Sequence, residues 1–227
     1  MQPLGPSPVL IDQVYDRLVE AIADGTLAPG QRIRQEALAE LLGVSRQPVS
    51  HALQLLKRQR LVEEHGKRGL VIAGIDAGRI LALYQVRAAL DALAAREAAR
   101  TVARGSVGAE ATQAAERALA DGRALGAGAT IGALIQADVA FHVALYRLAG
   151  NPVIEDTVAS QWPHLKRSMG VALGDPDQPA LVWSEHAAIL ARVLAGDADG
   201  AERAARDHAL RAGTATARRL TTAADAA

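Results

Sequence analysis

Apolar residues recur every three or four positions in two short stretches between residues 38 and 62, a spacing typical of amphipathic helices. Gly43 separates the stretches and supplies a residue that can adopt the left-handed conformation needed where a helix ends. The pattern therefore predicts a helix, a tight turn and a second helix that begins after an N-cap residue, Ser45. The apolar positions are Leu38, Ala39, Leu41 and Leu42 in the first stretch and Val49, Ala52, Leu53, Leu55 and Leu56 in the second.

The opposite face of the second predicted helix carries hydrogen-bonding side chains near its start. Arg46, Gln47, Ser50 and His51 lie at the end that enters the major groove in helix-turn-helix proteins. A small helical core with a solvated face would explain the apolar spacing. It would not require the turn LGVSRQPV or the basic segment that follows, so the pattern favours binding to double-stranded DNA.

The residues after this helix predict a wing of two short strands joined by a basic turn with glycines. Residues 45–69 contain six Lys or Arg and two Glu, whereas the formal net charge of the whole chain is zero. A local excess of this kind suits contact with phosphates. With a further helix predicted over residues 9–24, we expect a winged helix-turn-helix domain over residues 1–75. The candidate DNA contacts are Arg34, Ser45, Arg46, Gln47, Ser50, His51, His65, Gly66, Lys67 and Arg68.

The remainder of the chain is rich in alanine, has helical periodicity and shows almost no strand signal. Gly, Pro and Asp interrupt it at intervals, as they do at helix ends. We therefore predict an all-α helical bundle over residues 76–227, and a mostly α fold class for the chain. The predicted helices span residues 79–103, 107–124, 130–149, 152–170, 181–196 and 198–220.

Composition excludes several classes of protein. The chain has no cysteine, so disulfides, thiol catalysis and cysteine-ligated zinc are excluded. It has no uncharged apolar run of membrane-spanning length, and its first residues lack the pattern of a signal peptide. We therefore expect a cytoplasmic protein with no membrane association.

Histidines and one aspartate carry the candidate chemistry of the predicted bundle. Asp138 and His142 are four residues apart and so project from one helix face, while His186 and His208 lie on two later predicted helices. A lone helical histidine is more often a surface or hydrogen-bonded residue. If the helices converge, one carboxylate and three imidazoles make a site suited to Zn, Ni, Mn or Fe.

The first domain resembles a known family through the segments TLAPGQRI, LAELLGVSRQPV and ALQLLKRQRLV and the HGKRG wing. They resemble the N-terminal domain of GntR-type bacterial repressors over about 65 residues. The family usually has Arg and then Glu where this chain has Ser50 and His51, and Gly where it has Arg60. Because the missing Arg is a usual DNA contact, the operator that the family prefers does not transfer.

The second domain resembles the FCD effector-binding domain of the FadR-type branch, through DVAFHVALYRLAGNP, EHAAILARVLAGD and AERAARDHALRA. The resemblance implies that Asp138, His142, His186 and His208 ligate a divalent metal ion. It also places Arg87 where an Arg often faces the effector cavity, and a guanidinium there can bind a carboxylate in bidentate fashion. The alternative for Arg87 is a salt bridge with Asp91, four residues on, along a solvated helix face.

These observations lead to one main hypothesis and three rivals. The hypothesis is a homodimeric transcriptional regulator, a repressor, that binds a DNA operator and responds to a small organic acid at the metal site. In one rival the metal ion itself is the signal, and in another the metal is only structural. A metal-dependent hydrolase ranks last, because no general base or nucleophile stands at a recognisable spacing.

Overall fold

Helices make up most of the chain in the computed structural model, which describes residues 8–66, 69–106, 108–126 and 128–225. The mostly α fold class is confirmed. The chain forms two compact units, Met1–Ile75 and Asp76–Ala227.

The first unit contains three helices and a small three-stranded sheet among its described residues. Its elements, in chain order, are α1 (Pro8–Ala23), β1 (Arg32–Ile33), α2 (Gln35–Leu42), α3 (Arg46–Arg58), β2 (Val62–His65) and β3 (Gly69–Ile72). The strands are antiparallel and lie in the order β1-β3-β2, with Val62 opposite Ile72. Apolar side chains from α1, α2, α3 and the sheet form one core, in which Val49, Leu53 and Leu56 are almost fully buried. This packing leaves the polar face of α3 outside the core.

The second unit is an all-helical bundle. It contains α4 (Ala77–Ala103), α5 (Ala109–Ala124), α6 (Ile131–Leu148), α7 (Pro152–Ala159), α8 (Trp162–Leu173), α9 (Gln178–Leu194) and α10 (Ala198–Asp225). The two long helices α4 and α10 pack along each other, and Gly213 of α10 permits this approach. A Cβ atom at Gly213 would lie 2.5 Å from Cβ of Tyr84 on α4. Helix α6 packs against α4, α5, α7 and α8, which places its middle inside the bundle.

Within the described residues, α6 alone has the length and apolar composition of a membrane span. That is weak support for such a span, because buried helices of globular bundles have the same composition. Asp138 and His142 lie in the middle of α6, and both are buried against other helices of the bundle.

The structure corrects two details of the sequence-based prediction. The single helix predicted over residues 152–170 is two helices, α7 and α8, separated at Ser160 and Gln161. Pro163, in the first turn of α8, has no backbone N–H to continue the hydrogen-bond ladder from α7. Strand β1 was not predicted, because its two residues are too few to show a periodicity.

Candidate functional site

The turn between α2 and α3 has the geometry that the sequence predicts. Gly43 has a φ of 64°, in the left-handed region, and its N–H bonds to carbonyl groups of α2. Ser45 occupies the N-cap position of α3 in extended conformation, but its side chain makes no capping hydrogen bond. The hydroxyl of Ser45 is therefore not committed to the helix end.

The candidate DNA contacts lie on the outer side of the first unit. Gln47 and His51 are exposed on α3, and Ser50 beside them is half-buried. Arg46 is exposed, and its guanidinium pairs with Glu36 of α2 at 2.7 Å. The exposed polar start of α3 can reach a groove without rearrangement of the core.

The remaining candidates flank this face. Arg34 precedes α2 as its exposed N-cap residue. His65 and Gly66 are exposed at the end of β2, where the wing turns. Lys67 and Arg68, predicted at the wing tip, lie outside the described residues.

In the second unit, three helices bring Asp138, His142, His186 and His208 together. Asp138 and His142 project from α6, His186 from α9 and His208 from α10, and all four are buried. Nε2 of His186 lies 3.2 Å from Nε2 of His208 and 3.6 Å from Oδ1 of Asp138. Nε2 of His142 lies 3.8 Å from Oδ2 of Asp138.

This geometry fits a metal ion. Ring nitrogens of His142, His186 and His208 lie within 4.8 Å of one another, close enough for one ion to contact all three. The Asp138 carboxylate borders the same space and is a fourth possible ligand. Such a mixed nitrogen and oxygen set suits the borderline divalent ions.

Arg87 of α4 completes the cluster with a positive charge. Its Nη2 donates to Nε2 of His142 at 2.7 Å, and its Nε donates to Oδ2 of Asp91 at 3.2 Å. Asp91 also accepts a 2.5 Å hydrogen bond from the Tyr146 hydroxyl. The salt bridge between Arg87 and Asp91 is therefore present, and the same guanidinium also contacts His142. The difference from the expected salt bridge is that Arg87 and Asp91 are almost fully buried rather than solvated.

The hydrogen bond from Arg87 occupies the lone pair of His142. A neutral imidazole has one nitrogen that can accept, and at Nε2 that acceptor is bonded to Arg87. Arg87 and a metal ion therefore exclude each other at this atom.

The electrostatics of the cluster favour the neutral forms of His142 and His186. Burial lowers the pKa of His142 well below its ordinary value, and the neighbouring Arg87 and histidines lower it further. Burial, with His208 and Arg87, does the same to the pKa of His186. Burial raises the pKa of Asp138, although Arg87 opposes this. Neutral imidazoles are the form that binds metals.

Comparisons with known proteins decide the family. The model of the bacterial regulatory proteins of the gntR family matches residues 10–72, and the model of the FCD domain matches residues 82–211. The chain is a GntR-family transcriptional regulator with an FCD domain. The winged helix-turn-helix unit and the helical bundle correspond to these two matches in order.

Relatives of this GntR regulator extend over nearly its whole length. An uncharacterised helix-turn-helix regulator from an unstable DNA locus of Streptomyces ambofaciens is 31% identical over 197 residues, covering 86% of this chain and 80% of the relative. The repressor RspR of Escherichia coli is 23% identical, covering 90% of this chain and 88% of RspR. The solved structure of E. coli McbR/YncC superposes with a TM-score of 0.74 at 19% identity, covering 89% of this chain and 94% of that one. At that identity the structure shows a shared fold.

Sequence reasoning missed Glu185, a residue that bonds to a histidine of this GntR regulator's cluster. Oε2 of Glu185 lies 2.6 Å from Nδ1 of His208, and its Oε1 accepts from Nε of Arg211 at 2.7 Å. Partial burial would raise the pKa of Glu185, but hydrogen bonds from His208 and Arg211 hold it below its usual value. No periodicity reveals a contact between side chains 23 positions apart on two helices.

Proposed function

We propose that this GntR regulator is a repressor that acts as a homodimer on a DNA operator in the cytoplasm and is controlled by a small organic acid at a metal site. The observation that carries the proposal is the buried cluster of three histidines, Asp138 and Arg87. A DNA-binding protein needs no such cluster for its fold. Burying these polar and charged groups costs free energy of folding, and binding of a ligand by the cluster would explain why the protein keeps them.

The operator is bound by the polar start of α3 and by the wing. In this arrangement the base edges are read by four residues at the start of α3: Arg46, Gln47, Ser50 and His51. The sugar-phosphate backbone of the DNA is contacted by Arg34, Ser45 and residues 65–68. A two-fold symmetric dimer places two such units on a pseudo-palindromic site. The name of RspR as a repressor supports the same sign of control here.

A divalent ion, Zn, Ni, Mn or Fe, is held by Asp138, His142, His186 and His208. When bound, it supplies a Lewis-acidic centre to which an oxygen of the acid can coordinate. The fit rests on the close approach of the three ring nitrogens and on the lowered pKa values of His142 and His186, which keep these two imidazoles neutral.

Arg87 provides the second point of attachment for a carboxylate. Its guanidinium is buried and charged beside the histidines. When a metal ion takes Nε2 of His142, the Nη2 donor of Arg87 becomes available, and such a group binds a carboxylate strongly. Control of DNA binding requires that the acid bind one conformation of the regulator more tightly than the other. A coupling of about 1–3 kcal/mol would change operator occupancy severalfold.

The bond between Arg87 and His142 also supports a second candidate, in which the metal ion is the signal. Because the ion and Arg87 exclude each other at Nε2 of His142, metal binding alone would move a side chain of α4. Helix α4 begins at Ala77, directly after the DNA-binding unit. A metal sensor would then respond without any organic acid.

The test measures DNA binding by the full chain. Fluorescence anisotropy monitors this binding on a duplex that was selected in vitro for its affinity to the wild type. Acetate, succinate and benzoate are titrated with and without added Zn²⁺. The proposal expects at least one acid to change the affinity of the metal-loaded wild type, and expects no response from the Asp138→Ala, His142→Ala double variant. The control is Asp207→Ala, which changes an exposed aspartate beside His208. A folded double variant that keeps the full response would refute the metal-centred proposal, whereas a response to Zn²⁺ alone would favour the sensor.

A further inference from the structure

The three histidines of the cluster differ in the contacts made by Nδ1, the ring nitrogen opposite the Nε2 that faces the cluster. Nδ1 of His208 lies 2.6 Å from the Glu185 carboxylate. Nδ1 of His142 lies 3.6 Å from Oδ2 of Asp91, beyond hydrogen-bond distance. Nδ1 of His186 is buried and has no hydrogen-bond partner among the described residues. Of these three Nδ1 atoms, only that of His208 has a hydrogen bond within the described part of the chain.

That hydrogen bond determines which nitrogen of His208 carries the proton. An ionised carboxylate only accepts, so Nδ1 of His208 must be the donor. In a neutral imidazole the other nitrogen then has a free lone pair. Here that nitrogen is Nε2, which faces the cluster 3.2 Å from Nε2 of His186.

We infer that Glu185 is the positioning residue of the metal centre: its hydrogen bond holds His208 with an unprotonated Nε2 directed at the other two histidines. The inference rests on the proposed function, since it assigns a role within the proposed metal site. A carboxylate behind a ligand histidine fixes the orientation of the ring and strengthens the metal-facing nitrogen as a donor. Glu185 itself does not reach the metal-facing side of His208.

The competing explanation is that Glu185 only braces two helices. Its other oxygen bonds to Arg211 of α10, whose side chain is 55% exposed. If bracing were the whole role, removal of either partner would have the same effect. The two explanations therefore separate when Glu185 and Arg211 are changed one at a time.

The first measurement is the affinity of the full-length protein for Zn²⁺, determined by competition with a chromogenic chelator. Glu185→Gln should weaken binding about 10- to 100-fold, the usual effect of losing such an outer carboxylate. Arg211→Gln should change it by less than about fivefold, because an exposed ion pair contributes little. The matched control is Glu202→Gln, which removes a carboxylate that bonds to Arg206 and Arg96 but not to a histidine.

The second measurement needs no metal. Long-range ¹⁵N–¹H NMR of the ring nitrogens, in the presence of EDTA, should show His208 of the wild type as the neutral form protonated at Nδ1. Glu185→Leu, which has no acceptor, should lose this single form while circular dichroism remains that of the wild type.

The results separate failure of the inference from failure of the proposed function. Wild-type Zn²⁺ binding that Glu185→Gln leaves unchanged, or that Arg211→Gln weakens equally, overturns the positioning role alone. A His208 that is protonated at Nε2 in the wild type overturns it as well. A wild type that binds no Zn²⁺ overturns the metal site and the role of Glu185 together.

Discussion

Replacing Arg87 by Met should destabilise the helical bundle strongly, because it leaves the partner carboxylate of Asp91 buried without its cation. Arg87 and Asp91 are 2% and 1% exposed, and their atoms approach to 3.2 Å. Removing one member of a buried ion pair typically costs about 3–5 kcal/mol. The Tyr146 hydroxyl remains as a donor to Asp91, so we expect the lower half of that range.

The double variant Arg87→Met, Asp91→Asn should be more stable than Arg87→Met alone. The asparagine side chain keeps an oxygen for the Tyr146 hydroxyl but carries no charge, so no uncompensated charge stays buried. In a double-mutant cycle the coupling between the two sites should then reach about 1–3 kcal/mol. Arg147→Met serves as a control, since the pair of Arg147 with Glu155 is exposed and should contribute less than about 1 kcal/mol.

The assay is urea unfolding in EDTA, followed by tryptophan fluorescence. Both tryptophans, Trp162 and Trp183, lie in the second unit, so the signal reports the bundle and not the DNA-binding unit. If the costs of the two single substitutions add within about 0.5 kcal/mol in the double variant, the buried pair is not coupled and the reasoning is wrong.

The same Arg87→Met, Asp91→Asn variant should bind Zn²⁺ about 10- to 100-fold more tightly than the wild type, because Nε2 of His142 no longer accepts a charged hydrogen bond worth about 1.5–3 kcal/mol. Equal Zn²⁺ affinities of the two proteins, measured with a chromogenic chelator, would show that Arg87 and the metal ion do not compete for this nitrogen. Arg60 has a φ of 60°, so Arg60→Gly should stabilise the DNA-binding unit by up to about 1 kcal/mol in thermal unfolding, whereas Arg60→Ala should not. In EDTA, the bundle should lose stability as the pH falls below about 6.5, by up to about 1.4 kcal/mol per histidine and pH unit. The sign follows because the pKa values of His142 and His186 are lowered in the fold, so the unfolded chain takes up the protons first. The raised pKa of Asp138 opposes this between the ordinary value of an aspartate and its raised value in the fold. Urea midpoints that are flat from about pH 7.5 to 5.5 would contradict the assignment.

Local chemistry accounts for the parts of the fold that were predictable. Helix α3 follows from the spacing of Val49, Leu53 and Leu56, and its separation from α2 follows from Gly43, which has the left-handed φ of such a helix end. The break between α7 and α8 was missed although Pro163 marks it, because apolar residues continue across the gap with helical spacing.

The site was less predictable because most of its contacts join distant helices. The spacing of Asp138 and His142 shows that they share a face of α6, but it does not show which residues of α9 and α10 they meet. The pairing of Arg87 with Asp91 could be proposed from their spacing of four. Its burial, and the bond from Arg87 to His142, depend on how α4 packs against α6.

The central claim is that this regulator holds one divalent metal ion per chain at the cluster of Asp138 and the three histidines. The most direct measurement is a native mass spectrum of the full-length protein purified without chelators or a histidine tag. The account predicts a dimer with one metal ion per chain, and a dimer without metal for the Asp138→Ala, His142→Ala variant. A wild-type dimer that carries no metal after supplementation with Zn²⁺, Ni²⁺, Mn²⁺ and Fe²⁺, or a variant that retains the ion, would contradict it.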